Sequence, residues 1–401
     1  MWIELNIALK FLRQGLAQTL LILIGIGVGV AVIVFIVTLV TGLQKNIVER
    51  TLGSQAHIRV EPLQQANHPA TVLPQAHHQL IVEDPRAQRL RSINNWQQVV
   101  SSLQRLPNVT AVSPVAAGPA FARRGAGVIS VVALGIEPAL YQQIIPIHKD
   151  IIAGEFRVGA NDGVIGSKLA ADLGLKVGSK LRLDAGNNRS TVVTVTGIFE
   201  LGVRELDSRY VYLDLKQAQT LLGLVGGITV IDLTVDDIFD ATRVAQQVER
   251  FTNLPAESWM QANSQLMNAL KSQSLSSNLI SFFVGVSVAF GIASVLAISV
   301  TQRTREIGIL RAMGARRSQM LRVFLIQGAI LGLLGSFAGA AVGWFMVWIF
   351  NEFGPRLFDI SPSMRIIPVA VTIATITGVV SAIAPAWRAS RLDPVTAIRY
   401  V

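Results

Sequence analysis

Four long stretches of the sequence contain no charged residue, and they restrict the fold more than any other feature. They cover residues 14–44, 272–302, 323–351 and 366–387. Each is at least as long as the roughly 20 residues that an α-helix needs to cross a bilayer. Only 15% of the residues are charged, and the mean hydropathy is +0.49. We therefore predict an integral membrane protein with four transmembrane helices.

Basic residues beside these stretches predict the orientation of the spans. Lys10 and Arg13 precede the first span, an Arg-rich link joins the second span to the third, and three arginines follow the fourth. Short loops rich in Lys and Arg lie on the cytoplasmic side of a membrane. We expect both termini in the cytoplasm and residues 44–271 outside it. This topology explains the net charge of +10 better than binding to nucleic acid does.

The Arg-rich link, residues 303–320, has the pattern of a short amphipathic helix at the cytoplasmic surface. Glu306 is its single acidic residue, and Gly314 predicts the end of the helix. Its apolar residues recur at helical spacing: Ile307, Ile309, Leu310 and Met313.

The first 15 residues predict an interfacial amphipathic helix that lies along the membrane before the first span. The residues of its apolar face are Trp2, Leu5, Leu9 and Leu12, and those of its polar face are Glu4, Lys10 and Arg13. A signal peptide is the alternative. The uncharged run that follows is too long for its apolar region and has no clear cleavage site.

The large external segment, residues 44–271, predicts an α+β domain. Stretches rich in Val, Ile and Thr alternate with helical stretches, without a regular βαβ rhythm. The predicted strands are residues 57–61, 109–115, 128–134, 180–183, 191–199, 210–213 and 229–234. The predicted helices are residues 96–106, 163–173, 241–251 and 258–270. Residues 64–85 are polar and rich in Pro and His, which predicts a loop.

No catalytic, cofactor-binding or metal-binding residue is predicted in this chain. It has no cysteine and no Gly-Lys dipeptide, so it lacks a phosphate-binding Walker loop. The spans have no ionisable residue in their cores, which disfavours an ion-coupled carrier. Several possible metal ligands are grouped in or near the predicted loop: His57, His68, His77, His78, Glu83 and Asp84. Their spacing matches no metal motif, and a solvated polar loop explains them better.

The link carries the first resemblance to a known family. The motif REIGILRAMGA, residues 305–315, resembles the cytoplasmic loop of ABC-transporter permeases of the FtsX-like / MacB superfamily. Further segments are similar, in the same order, to the lipoprotein-releasing (LolC/LolE-type) permeases. They are ALGIEP (133–138), VIGSKLAADLGLKVGSKLRL (164–183), VTGIF (195–199), YVYLDLKQAQTLLG (210–223) and PAWRASRLDPVTAIRYV (385–401). Each motif alone is weak, but their shared order covers nearly the whole chain.

The resemblance implies a complete domain plan. The predicted parts are an interfacial helix (1–15), a first span (16–43), an external α+β domain (44–271) with an inserted β-rich part (about 137–206), a second span (275–302), a cytoplasmic coupling-helix loop (303–320), a third span (323–350), an external turn (351–365), a fourth span (366–388) and a cytoplasmic tail (389–401).

The resemblance also implies a mechanism of the mechanotransmission type. A separate cytoplasmic ATPase dimer, which binds ATP and Mg, would move the coupling helices, and the external domains would change shape. The permease would pair with a second permease subunit, as a homodimer or a heterodimer. The expected function is extraction of lipoproteins or other lipophilic cargo from the outer leaflet of the cytoplasmic membrane, with a periplasmic carrier as a further expected partner.

Two groups of residues follow from the resemblance as candidate sites. The expected ATPase-coupling residues are Arg305, Glu306, Ile307, Leu310, Arg311, Met313 and Gly314. The expected substrate-facing residues are Leu39, Val40, Leu43, Leu279, Phe282 and Phe283. Packing against the adjacent spans is the alternative for Ile307 and Leu310. Ordinary contact with lipid is the alternative for the second group.

One departure from the lipoprotein-releasing permeases concerns their long protruding loop, which grips a soluble carrier. The corresponding residues here, 184–190, read DAGNNRS and predict a tight hairpin turn. The chain could be the partner without this loop in a heterodimer, or half of a homodimer with another substrate. Two other functions also stay open. The chain could be an efflux permease for drugs, peptides or haem, or a signalling scaffold that regulates a cell-wall hydrolase.

Overall fold

The computed structural model describes residues 2–63, 90–186, 188–354, 360 and 366–392. The chain forms two compact units. One combines Met1–Val48 with Asn268–Val401, and the other is Glu49–Met267. We refer to them as the membrane unit and the external unit.

The helices are as follows in chain order: α1 (Trp2–Gln14), α2 (Leu16–Gly53), α3 (Trp96–Leu103), α4 (Pro138–Tyr141), α5 (Ser167–Leu173), α6 (Arg204–Arg209), α7 (Leu215–Leu222), α8 (Ala241–Thr252), α9 (Trp259–Ala262), α10 (Ser264–Gln302), α11 (Thr304–Ala312), α12 (Arg317–Phe353) and α13 (Ile366–Ser390). The strands are β1 (Ile58–Val60), β2 (Val109–Arg124), β3 (Gly127–Ile136), β4 (Ile151–Gly154), β5 (Asp162–Gly166), β6 (Lys180–Asp184), β7 (Ser190–Phe199), β8 (Tyr210–Asp214), β9 (Val230–Val235) and β10 (Ala256–Ser258).

Within the described residues, four helices are long and apolar enough to cross a membrane: α2, α10, α12 and α13. They correspond to the four uncharged stretches of the sequence. Aromatic side chains of the kind that gather at membrane interfaces lie near the helix ends. Phe345 and Trp348 stack near the end of α12, and the Arg391 guanidinium lies 3.9 Å from the Trp387 ring centroid near the end of α13.

The glycines of α12 contact two neighbouring helices. Gly328 and Gly332 face α13, whereas Gly335, Gly339 and Gly343 face α2. A β-carbon on Gly328 would lie 2.6 Å from the carbonyl oxygen of Gly378 on α13. One on Gly339 would lie 2.5 Å from that of Gly27 on α2. Small residues let these backbones approach each other closely, so α12 packs as the central helix between α2 and α13.

Helix α1 packs against α12, and this contact includes Glu4 from the predicted polar face. Leu5 is 40% exposed and Leu9 is 41% exposed, as expected for residues that meet lipid. Glu4, however, is buried, and its Oε1 lies 3.5 Å from Nη1 of Arg322 on α12. The assignment of Glu4 to a solvated polar face is therefore corrected, because an ion pair with α12 compensates its burial.

The external unit is an α+β domain, as predicted. Its strands form one sheet in the order β10-β1-β9-β2-β3-β8-β5-β7-β4, and β6 pairs with both β2 and β7. The β3–β8 and β5–β7 pairs are parallel, and the other pairs are antiparallel. The predicted inserted part contains β4 to β7, which join the rest of the sheet through β8 and β2. Its boundaries stay a prediction.

Two secondary-structure predictions in this unit need correction. Residues 163–173 are not one helix, because Asp162–Gly166 forms β5 and only Ser167–Leu173 is helical. Strand β2 continues to Arg124, although Pro114, Gly118 and Pro119 normally disfavour a strand interior. Pairing with β3 from Val115 to Arg124 supports this continuation, so tertiary contacts outweigh local propensity.

The connection between β6 and β7 is the tight turn that the sequence predicts. The two strands pair as far as Asp184 and Ser190. The Ala185 N–H donates to the Arg189 carbonyl at 3.0 Å, and the Gly186 N–H donates to the Asp184 carboxylate, also at 3.0 Å. Gly186 has a φ of 79°, a conformation that glycine adopts without strain. Residue 187 lies outside the described residues.

Candidate functional site

The predicted coupling segment folds as a short helix between two turns. Arg303 alone separates the end of α10 at Gln302 from α11, which ends at Ala312 and is followed by its cap residue Met313. Gly314 follows with a φ of 99°, and the Ala315 N–H donates to the Leu310 carbonyl at 3.1 Å. The Arg316 N–H donates to the Gln319 side chain at 2.8 Å and so begins α12. The segment is therefore a short helix that a turn joins to α12, rather than an extended loop.

The inner face of α11 belongs to the core of the membrane unit. Ile307 is 0% exposed, and Leu310 packs beside it. The buried partners of Ile307 in this cluster are Ala8, Phe11, Val300, Met320, Val323, Phe324, Ala386 and Ala389. Full burial of an isoleucine contributes about 1.5–3 kcal/mol. The chain's own helices enclose Ile307, as the packing alternative predicts, and its part in ATPase coupling stays a prediction.

The outer face of α11 is exposed and combines apolar with charged side chains. Met313 is 72% exposed and Ile309 is 43% exposed, and Arg305 and Glu306 are exposed beside them. Ile309 is not among the predicted coupling residues. The missed signal is its offset of two positions from Ile307, which at 3.6 residues per turn places the two on opposite sides of the helix.

Arg311 is held within the chain rather than at a free rim. Its Nη1 donates to the Leu392 carbonyl, and its Nε is buried without a hydrogen-bond partner among the described residues. Arg311 therefore ties α11 to the segment that follows α13. Of the predicted coupling residues, the structure leaves Arg305, Glu306 and Met313 with exposed side chains, together with Gly314 in the turn.

The predicted substrate-facing residues lie on two neighbouring helices. Leu39, Val40 and Leu43 are half-buried on α2. Near them along α2, the Gln44 side chain donates to the Leu270 carbonyl at 3.2 Å and to the Ser274 hydroxyl at 2.8 Å. These bonds hold this part of α2 beside α10.

On α10 the remaining candidates are exposed. Leu279 is 50% exposed, Phe282 is 63% exposed and Phe283 is 65% exposed. The Phe282 and Phe283 ring centroids are 5.6 Å apart. The structure thus gathers large apolar side chains on one open helix surface.

His57 is the one residue of the predicted histidine group that the structure describes; the other members lie outside the described ranges. Its Nδ1 accepts a hydrogen bond from the Val235 N–H at 3.1 Å, and burial lowers the pKa of the His57 imidazole. A neutral imidazole that accepts a backbone hydrogen bond has a structural role. Within the described ranges, no cluster of three or more His, Cys, Asp or Glu side chains could hold a metal ion.

Comparison with known families gives two matches that together cover most of the chain. The MacB-like periplasmic core domain matches residues 19–251, and the FtsX-like permease C-terminal model matches residues 278–394. The first match alone covers more than half of the chain. The second contains α11 and all of α12.

Three curated relatives show how far the similarity extends. The lipoprotein-releasing system transmembrane protein LolC of Xylella fastidiosa (strain 9a5c) is 24% identical over 389 residues, which are 87% of this chain and 88% of that protein. The macrolide export ATP-binding/permease protein MacB of Bartonella quintana is 25% identical over 383 residues, 90% of this chain but 54% of that protein. The uncharacterized ABC transporter permease YknZ of Bacillus subtilis is 26% identical over 258 residues, 61% of this chain and 63% of that protein.

Proposed function

The chain belongs to the FtsX-like permeases with a MacB-like periplasmic core domain, and from this premise we propose that it extracts lipoproteins or other lipophilic cargo from the outer leaflet of the cytoplasmic membrane. As an ABC-transporter permease it is an inner-membrane protein with an external domain. The observation that carries the cargo proposal is the end-to-end match to LolC, in which 87% of this chain aligns with 88% of the relative.

ATP hydrolysis belongs to a partner in this proposal. The MacB relative is named as an ATP-binding and permease protein, and this chain aligns with only 54% of its length. A separate ATPase dimer, with its ATP and Mg, supplies that activity from the cytoplasm. Both termini and α11 lie on the cytoplasmic side, as the basic residues around the spans indicate.

The exposed face of α11 is the docking surface in this proposal. Ile309 and Met313 are its apolar contacts, and Arg305 and Glu306 form a charged rim. Buried apolar residues surrounded by polar ones are the usual arrangement of residues that dominate binding. Ile307 supports the surface from within by fixing α11 on the core.

The short turn between β6 and β7 limits what this subunit does with its cargo. The turn is closed by backbone hydrogen bonds and has no length with which to grip a soluble carrier. Delivery to a carrier therefore requires a second permease that has such a loop. Without one, two copies of this chain release the cargo by another route.

Purification of the chain with its native partners, followed by mass spectrometry, tests the proposal. We expect an ATPase together with lipoproteins. Recovery of an ATPase with an adaptor and an outer-membrane channel would support efflux instead, which the similarity to MacB over 90% of this chain favours as the second candidate. Recovery of a cell-wall hydrolase would indicate a signalling scaffold.

A double substitution tests the docking surface separately. Ile309→Asp with Met313→Asp places two charges in the contact, and recovery of the ATPase should fall at least about tenfold, since each 1.4 kcal/mol of lost binding energy changes affinity tenfold. The matched control is Ser318→Asp, which adds a charge to the exposed first turn of α12. Undiminished ATPase recovery with the double variant would place docking elsewhere.

A further inference from the structure

Arg303 is a buried cation at the point where the second span meets the coupling helix. It is 9% exposed. Its backbone joins the two helices, because its N–H donates to the Ser299 carbonyl at 3.2 Å and its carbonyl accepts from the Ile307 N–H at 3.0 Å. A buried charge at a membrane helix end is costly and is by default a candidate functional residue. Its side-chain partners therefore need an explanation.

Those partners lie on the N-terminal helix rather than on α11. Nη2 donates to the Phe11 carbonyl at 2.6 Å, and the guanidinium carbon lies 4.7 Å from the Phe11 ring centroid. Phe11 is in the last turn of α1, where carbonyls carry the negative end of the helix dipole and favour a cation. Arg303 thus caps α1 and contacts its aromatic ring at the same time.

The corner between α1 and α2 is shaped to admit this side chain. Gly15 separates the two helices, and a β-carbon at Gly15 would lie 3.1 Å from Nη2 of Arg303. The Thr19 hydroxyl donates to the Leu12 carbonyl at 2.9 Å, which satisfies a second carbonyl at the end of α1. The guanidinium therefore fills the inner side of the corner.

A third helix contributes to the same arrangement. Gln327 on α12 is 2% exposed, and its Nε2 donates to the Ala8 carbonyl at 3.4 Å. Nη1 of Arg303 and Oε1 of Gln327 are both buried without a hydrogen-bond partner among the described residues, and both residues border a cavity of about 20 Å³. A cavity of that size has room for one water molecule.

We propose that Arg303 is a positioning residue that locks α1 and the beginning of α2 to α11. A displacement of α11 is then transmitted through the guanidinium to the corner at Gly15 and so to the first span, which is continuous from Leu16 to Gly53. The lock is a property of the chain itself. Its use in transport rests on the proposed function, in which an ATPase displaces α11.

The experiment measures the distance between α1 and α11 by pulsed electron paramagnetic resonance. The chain has no cysteine, so Leu9→Cys and Ala312→Cys, both at exposed positions, carry the only two spin labels. The full-length protein is studied in lipid nanodiscs, alone and with the ATPase that co-purifies with it, without nucleotide and with ATP plus vanadate. The native residue should give one narrow distance in all of these states.

Arg303→Met removes the charge and the hydrogen bond from Nη2 to the Phe11 carbonyl. The loss of a charged hydrogen bond should lower the ratio of locked to released protein by about tenfold or more, and a second, longer distance should appear. Arg303→Lys keeps the charge but not the planar guanidinium, which contacts both the carbonyl and the ring of Phe11. It should therefore give an intermediate ratio of locked to released protein. Arg317→Met, at an exposed position at the start of α12, is the matched control and should keep the native distance.

The outcomes separate the lock from the transport function. A native distance in both Arg303 variants would overturn the lock, whatever the ATPase does. A second distance in the protein alone supports the lock even if no ATPase is recovered, a result that would instead count against the proposed function. If Arg303→Met does not accumulate in the membrane, the Arg303→Lys result decides by the same criterion.

Discussion

Helices α10 and α12 are similar in length and are both spans, yet they are used in opposite ways. In the most apolar 18-residue window of each, 11% of the residues of α10 are buried, whereas 44% of those of α12 are buried. Helix α12 presents small residues to two neighbours, while α10 presents large apolar side chains to its surroundings. Lipid solvates apolar side chains as well as a protein core does, so hydrophobicity alone does not pack a span. Small residues at the contact allow two spans to pack closely.

This comparison divides the membrane unit by role. Helices α2, α12 and α13 form an internal framework that depends on close backbone approach. Helix α10 has a free surface for lipid, cargo or a second subunit, and it leads directly into α11. A helix with few internal contacts can change its position at low cost, whereas a helix packed through glycines resists displacement.

The largest difference in the free energy of unfolding is expected between alanine substitutions of two phenylalanines. Phe324 on α12 is 0% exposed and lies 6.4 Å, between ring centroids, from Phe11. Phe324→Ala should lower the free energy of unfolding by about 3–5 kcal/mol, the usual cost of such a cavity. Phe283→Ala on α10, at a position 65% exposed, should change it by less than about 0.5 kcal/mol. Thermal unfolding in detergent measures both, and equal effects would remove the distinction.

Glycine substitutions should separate the two helices by a smaller amount. Gly339→Ala places a β-carbon 2.5 Å from the Gly27 carbonyl oxygen and should destabilise the α2–α12 contact by about 1–3 kcal/mol. Gly285→Ala on α10 is the control, because nothing lies within 4 Å of its β-carbon. Protease resistance of the purified protein reports the contact. A resistant Gly339→Ala variant would show that α12 can shift without loss of packing.

The smallest effect on stability is expected from photo-cross-linking groups on the open surface of α10. A probe at Phe283 should leave the fold unchanged and should react with cargo or a second permease subunit in native membranes. A probe at Phe337, 56% exposed on α12, is the control and should react with lipid alone. Reaction with lipid alone at both positions would make the surface of α10 an ordinary lipid-facing one.

The structure changes the interpretation of the coupling segment more than that of any other region. Spacing alone predicts the helix but does not reveal which side faces inwards, since Ile307 and Ile309 are identical in type. The decision depends on α1, α12 and α13, which enclose Ile307 and leave Ile309 exposed. Arg303 shows the same limit. An arginine among other arginines in a basic link gives no local sign that it is buried against Phe11.

What the sequence by itself determined is the set of segments that can lie in a bilayer, the presence of an α+β domain between the first two and the short helix in the basic link. Charges are too costly in hydrocarbon, and periodicity is local, so both can be recognised along the chain. The tertiary structure alone decided which neighbour each glycine of α12 meets, that Glu4 and Arg303 are buried and that β5 replaces the start of a predicted helix. These outcomes depend on contacts between residues far apart in the chain, and only the folded arrangement of the helices and the sheet brings those residues together.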